Sequence, residues 1–304
     1  MALDPQIQPI VGAVNAAAEK APPNPTVAER RQGYIALAGF AGAGPELDQV
    51  ENRTIPGPAG EIPVRVYRNE GARGTVVFYH GGGFCIGDLD THDEVCRQLA
   101  VQADATVMAV DYRLAPEDPF PAGVEDAWAA LQFADANRSE LGGSDDSKIV
   151  VCGDSAGGNL SAVVALMARD AGLDLAGQLL VYPGTRLDDD SPSMEENGSG
   201  YVLTRDTMDW FFESYGADEK DWRASPIYAD RHADLPPALV ITAQYDPIRD
   251  QGKDYADTLE AAGVDVTYTN YDGVVHIFFQ LGPLVDKGAE AVTQTAQFAR
   301  ACLD

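Results

Sequence analysis

The chain has 304 residues, 45% hydrophobic and 23% charged, with 48 acidic against 21 basic side chains and a net charge of -27. That is enough apolar material to build one large domain or two small ones, and so acidic a surface repels nucleic acid. No apolar run approaches the roughly 18 residues that cross a bilayer, so neither a nucleic-acid partner nor a membrane segment is expected. The acidity reads most simply as a solvated coat that aids solubility; adaptation to high salt, where screening relieves the self-repulsion, is the second reading.

In chain order, residues 1–20 read MALDPQIQPIVGAVNAAAEK, with Asp4 and no basic residue ahead of the apolar part. Gln6, Gln8 and Asn15 interrupt that part, so it is not a secretory signal, and a cytoplasmic protein is expected. Residues 1–45 have a helical pattern broken by APPNP at 21–25. VENRTIPGPAGEIPVRVYRN follows, two strand-like halves around a Pro/Gly turn, which predicts an antiparallel hairpin. From there β-rich runs at 63–68, 74–80, 105–111, 148–152, 177–182, 238–243 and 265–270 alternate with helical patterns at 91–103, 121–136, 156–170, 249–262 and 284–301. The helix at 91–103 is expected to open with a capping box of Thr91 and Glu94. Such alternation is the signature of an α/β protein with a mostly parallel sheet covered on both faces. Residues 187–225, with DDD, a Gly/Ser/Asn stretch and LTRDTMDWFFESYG, break it. The expected organisation is therefore a catalytic domain from 46–186 and 226–304, with 1–45 and 187–225 as a helical cap over the sheet's carboxyl edge.

Four cysteines, Cys85, Cys96, Cys152 and Cys302, lack paired spacing and read as reduced thiols, and no cluster has metal-ligand spacing. Two glycine clusters carry more information. The strand KIVVC runs into Gly153-Asp154-Ser155-Ala156-Gly157-Gly158 and then into the helical pattern NLSAVVALMARD. This is G-x-S-x-G between strand and helix, the turn that holds a nucleophilic serine in strained dihedrals at a helix N-terminus. A serine needs a base and the base an orienting acid. Of the four histidines, His92 and His232 read as solvated surface residues, and His80 as a brace for the adjacent loop, which leaves His276 in YDGVVHIFFQ. Asp246, at the end of strand ALVITAQY, is the candidate acid; Asp250 falls in the next helical turn, where it reads as helix-end charge. The order Ser155, Asp246, His276 is the order this hydrolase architecture uses.

The other cluster, His80-Gly81-Gly82-Gly83-Phe84, follows the strand at 74–80. A phosphate cradle would place lysine after the glycines, and here Phe84 and Cys85 follow. An oxyanion hole fits better than a hinge, with the N–H groups of Gly82 and Gly83 complementing that of Ala156.

With HGGGF, GDSAGG, DPIRD and a late histidine in order, joined by DYRLAPEDPFPAGVEDAWAAL, LVYPG and SGYVLTRDTMDWF, the chain resembles the hormone-sensitive-lipase-like esterases, the bacterial family IV carboxylesterases of the α/β-hydrolase fold. The resemblance implies a serine esterase acting on short- to medium-chain esters, without cofactor or metal. It implies Ser155 as nucleophile, Asp246 as acid, His276 as base and Gly82, Gly83 and Ala156 as oxyanion hole. It also implies a homodimer through the last strand and helix, around 265–301, and a buried polar brace around Asp111, Arg113 and Glu117. One departure is Ile277, where the family commonly has glycine. Phe84 and Phe278 are the expected substrate-pocket residues, whereas Met208, Trp210, Phe211 and Phe212 read as ordinary helix packing. Amidase or lactonase activity would use the same residues, and a non-catalytic binding protein would be expected to lack one of the three.

Overall fold

The structure is a computed structural model that describes residues 2–20, 22 and 24–304. Eight strands form one sheet in the order β1-β2-β4-β3-β5-β6-β7-β8. They are β1 (Gln49–Gly57), β2 (Gly60–Arg68), β3 (Thr75–Tyr79), β4 (Thr106–Val110), β5 (Ile149–Asp154), β6 (Gly177–Val181), β7 (Ala238–Tyr245) and β8 (Val266–Val275). The β1–β2 hairpin is antiparallel and β2 runs antiparallel to β4; every pairing from β4 to β8 is parallel. All residues of β3, β4, β5 and β6 are buried, which is why these strands read as continuous apolar runs.

Two cores lie on the two faces. Helices α4 (Ala122–Ala136), α6 (Ala156–Ala171) and α9 (Arg249–Ala261) cover one, with Leu131, Leu160, Val163 and Leu259 against Val77 and Val151. Helices α3 (Asp93–Ala103) and α10 (Asp286–Leu303) cover the other, with Leu99, Val292 and Ala296 against Val76, Phe78 and Val150. A short helix α5 (Arg138–Gly142) follows α4. Helices α1 (Gln8–Ala18) and α2 (Val27–Ala38) precede the sheet, and α7 (Pro192–Asn197) and α8 (Arg205–Tyr215) lie between β6 and β7. Ala21 and Pro23 of the APPNP break lie outside the described residues.

Strand β3 has β4 on one side and β5 on the other, so the chain reverses direction across the sheet there. The crevice at the carboxyl ends of β3 and β5 is the position where open α/β sheets take their ligands. Both glycine clusters open into it.

One local expectation fails. Thr91 caps nothing: its hydroxyl accepts the Asp88 N–H at 2.9 Å and donates to the Asp88 carbonyl at 2.8 Å, while Glu94 turns to Gln98. The helix starts only at Asp93. A full capping box does form elsewhere, between Thr26 and Glu29 at the start of α2.

Candidate active site

Ser155 sits between β5 and α6 at φ 55°, ψ -117°, a backbone region costly for any residue but glycine. Its neighbours permit the turn. A Cβ on Gly157 would lie 1.8 Å from the Tyr79 carbonyl oxygen, and one on Gly153 2.4 Å from the Gly157 backbone. Strand pairing thus brings β3 and the turn too close for any side chain at these two positions. Asp246 follows β7 and His276 follows β8, so loops from separate strands meet at one edge.

The three side chains are in contact. His276 Nε2 lies 2.9 Å from Ser155 Oγ, and His276 Nδ1 lies 2.7 Å from Asp246 Oδ2. Asp246 is fully buried, and its other oxygen accepts the Ile248 N–H at 3.0 Å. Because a carboxylate only accepts, Nδ1 carries the hydrogen and Nε2 is left to accept from the serine hydroxyl. Asp250 stands apart, paired with Arg249 and accepting from the Ser193 N–H.

Gly82 and Gly83 have φ 123° and 58°, and a Cβ there would meet Ile86 O at 2.1 Å and the Phe211 ring at 2.3 Å. Glycine alone fits both. Among the described residues the N–H groups of Gly82, Gly83 and Ala156 donate to no protein acceptor, as preorganised donors beside a nucleophile must. Behind the loop, Gly81 donates its N–H to Asp154 Oδ1 at 2.9 Å, and its carbonyl accepts from His80 Nδ1 at 2.8 Å. Burial, aided by the neighbouring His92, depresses His80 to about 4, so this imidazole is neutral.

A cavity of about 240 Å³ lies in front of Ser155, floored by Gly82, Gly83 and His276. Trp210 and Phe211 of α8 form one wall, Gly33 and Tyr34 of α2 another, and Ile277 a third. Arg30 of α2 stacks over the Trp210 ring at 4.2 Å, joining the two helices across the opening. The cavity walls differ from those expected. Phe84 is turned away and stacks on Tyr215 at 4.0 Å, and Phe278 is fully buried between Tyr182 and Tyr271; neither lines the cavity. Trp210 and Phe211, read as helix packing, do line it, whereas Met208 is core as expected. The helical stripe gave no sign of which residues faced the site, because the helix uses one face for both purposes.

His92 and His232 are buried, not solvated. His92 Nε2 faces Asp154 Oδ1 at 3.1 Å, and His232 Nε2 lies 2.9 Å from the Pro226 carbonyl. Of the supposed polar brace, Arg113 grips buried Asp126 through two nitrogens, but Glu117 is exposed and binds Arg31 of α2. Ile277 stands at φ 75°, which explains a preference for glycine at this position; a β-branched residue there is strained.

A mostly parallel sheet with its serine at a strained strand-to-helix turn, and an aspartate and a histidine just after later strands, defines an α/β hydrolase. The family model described as alpha/beta hydrolase fold matches residues 76–280, and the chain belongs to this family. It is 49% identical over 259 residues to carboxylesterase NlhH of Mycobacterium tuberculosis, covering 81% of this chain and 80% of that protein. It is 36% identical over 280 residues to ethyl acetate hydrolase of Pseudomonas putida, covering 88% and 87%. Among solved structures, the hyperthermophilic esterase of the archaeon Pyrobaculum calidifontis superposes with a TM-score of 0.93 at 43% identity over 99% of each chain. Among the described residues no helix is long and apolar enough to cross a membrane.

Proposed function

We propose that this protein is a serine carboxylesterase that hydrolyses short- to medium-chain carboxylic esters, with Ser155 as nucleophile, His276 as general base and acid, and Asp246 as orienting acid. The observation that carries the assignment is the continuous hydrogen-bonded relay from Asp246 through His276 to Ser155, at 2.7 and 2.9 Å. His276 Nε2 takes the Ser155 proton as Oγ attacks the ester carbonyl. The N–H groups of Gly82, Gly83 and Ala156 hold the resulting oxyanion. Collapse expels the alcohol, which takes its proton from His276, and leaves an acyl-serine; water then repeats the cycle from the same base and releases the acid.

The segments 1–45 and 187–225 act as the cap of this site, supported by the cavity walls that α2 and α8 supply. The apolar Trp210, Phe211 and Ile277 suit an acyl or alkyl group. A cytoplasmic setting is supported by four cysteines that remain free, and a homodimer by β8, which is an edge strand of the sheet; light scattering tests the latter.

The test is hydrolysis of p-nitrophenyl esters from acetate to laurate by wild type and Ser155→Ala, with matched amide and lactone substrates alongside. Wild type is expected to cleave the esters fastest. The variant, with an unchanged melting transition, is expected to lose at least about 10³-fold in kcat. Substantial turnover by folded Ser155→Ala would refute the assignment.

A further inference from the structure

Asp154 occupies an unusual place. It is covalently bound to Ser155, and its carboxylate accepts the N–H of Gly81, beside Gly82. One side chain thereby joins the two chain segments, 73 residues apart, that supply the donors of the proposed oxyanion hole. A Cβ on Gly81 would lie 2.4 Å from Asp154 Oδ2, so the loop is glycine here to let the carboxylate approach.

The carboxylate is 1% exposed, and a buried charge needs partners. They come from distant elements. His92, at the start of α3, presents Nε2 to Oδ1 at 3.1 Å. Gln280, four residues after His276, presents its amide nitrogen to Oδ2 at 2.9 Å. The Tyr182 hydroxyl approaches Oδ2 at 3.4 Å. His92 and Gln280 are themselves anchored. The Thr91 hydroxyl, itself bound to the Asp88 backbone, lies 2.9 Å from His92 Nδ1. The Gln280 nitrogen reaches the Tyr34 hydroxyl on α2 at 2.7 Å and lies 2.8 Å from His92 Nε2. Burial opposes ionisation of Asp154, but His92, Gln280 and the Gly81 N–H outweigh it and hold the carboxyl below its ordinary range.

We infer that His92 and Gln280 are positioning residues of the oxyanion hole: through the Asp154 carboxylate they fix the Gly81 peptide, and with it the aim of the Gly82 and Gly83 N–H groups. His80 holds the next peptide, the one that carries the Gly82 N–H, through the Gly81 carbonyl. The inference rests on the esterase reading of the site. Neither residue touches substrate, so neither is a catalytic residue. The donors are effective only while aimed at the tetrahedral oxygen, and a shift of about 1 Å in such a constellation costs about 100-fold in rate.

The experiment compares wild type with His92→Leu, His92→Gln, Gln280→Leu and Ser155→Ala. The readouts are kcat and KM on p-nitrophenyl butyrate per titrated active site, and inhibition by butylboronic acid, whose serine adduct is a tetrahedral anion. The two leucine variants are expected to lose about 10- to 100-fold in kcat with KM within about threefold. The boronate inhibition constant should rise by a matching factor. His92→Gln, which keeps a donor toward Asp154, should recover most of the loss. A purely structural role would lower the melting temperature without moving kcat per active site or the boronate constant. Folded leucine variants with both quantities within threefold of wild type would overturn the inference. Should His92→Leu not fold, Gln280→Leu decides by the same criterion. Activity surviving in Ser155→Ala would instead remove the esterase reading itself.

Discussion

Gly83→Ala tests the oxyanion loop most directly, because two separate costs can be read from its geometry. The residue stands at φ 58°, where a side chain costs about 1–2 kcal/mol of backbone strain. The new Cβ would also sit 2.3 Å from the Phe211 ring, about 1 Å short of the ordinary 3.4 Å contact. Phe211 is buried against the core, so part of that displacement must fall on the loop. The strain lowers stability by an amount worth a few degrees of melting temperature in a chain of this size. The displacement turns an N–H away from the tetrahedral oxygen, and losing one such donor costs about 10²- to 10³-fold in kcat. Steady-state hydrolysis of p-nitrophenyl butyrate, with circular dichroism to establish folding, should therefore show kcat down about 100-fold and KM nearly unchanged. Adding Phe211→Ala removes the clash and leaves the strain, so a folded double variant should regain rate without regaining stability. A folded Gly83→Ala with kcat within threefold of wild type would refute the assignment of this loop; a double variant no faster than the single one would refute the steric part.

Ile277→Gly removes a β-branched side chain from φ 75° in the cavity wall. Relief of about 1–2 kcal/mol of strain is offset by the loss of about 1.5–3 kcal/mol of buried apolar contact, so the melting temperature should move little. The widened wall should raise the kcat/KM of branched acyl esters relative to acetate, and an unchanged ratio would count against Ile277 as a specificity residue. Asp111→Asn probes pH dependence. Burial, then Asp88 and Asp90, raises the Asp111 carboxyl from 3.8 to about 6. Between those values the folded state binds the extra proton, so this group favours folding as pH falls through that window. His80, depressed from 6.5 to about 4, acts oppositely and loses stability as pH falls from 6.5 toward 4. In urea titrations, Asp111→Asn should be more stable than wild type at pH 7. The margin should close between pH 6 and 4 while the variant's own stability drops; a margin independent of pH would contradict the assignment.

The sequence by itself determined the parts of this protein whose signals are local. The β strands announced themselves by length and β-branched composition: six of the seven expected ones lie within three residues of their observed bounds, and β8 runs five residues beyond the expected 270. The elbow was legible because strand, glycines, serine and helix are contiguous from Ile149 to Ala171. Ser155, Asp246 and His276 followed from chain order, since each ends or follows a strand and parallel strands deliver their carboxyl ends to one edge. Tertiary structure alone decided the rest. His92 looked solvated because nothing within its own helix reveals Asp154 or Gln280, which lies 188 residues further along the chain. Phe84 and Phe278 border the catalytic motifs in sequence, yet backbone direction turns their rings into Tyr215 and Tyr182, while Trp210 and Phe211 arrive from a distant helix. Thr91 had the right spacing for a cap, and the turn at Asp88 claimed its hydroxyl first. Periodicity and motif record what neighbouring residues do to one another; the burial of a polar group, and the face a ring presents, depend on contacts that exist only once the sheet has brought remote segments together.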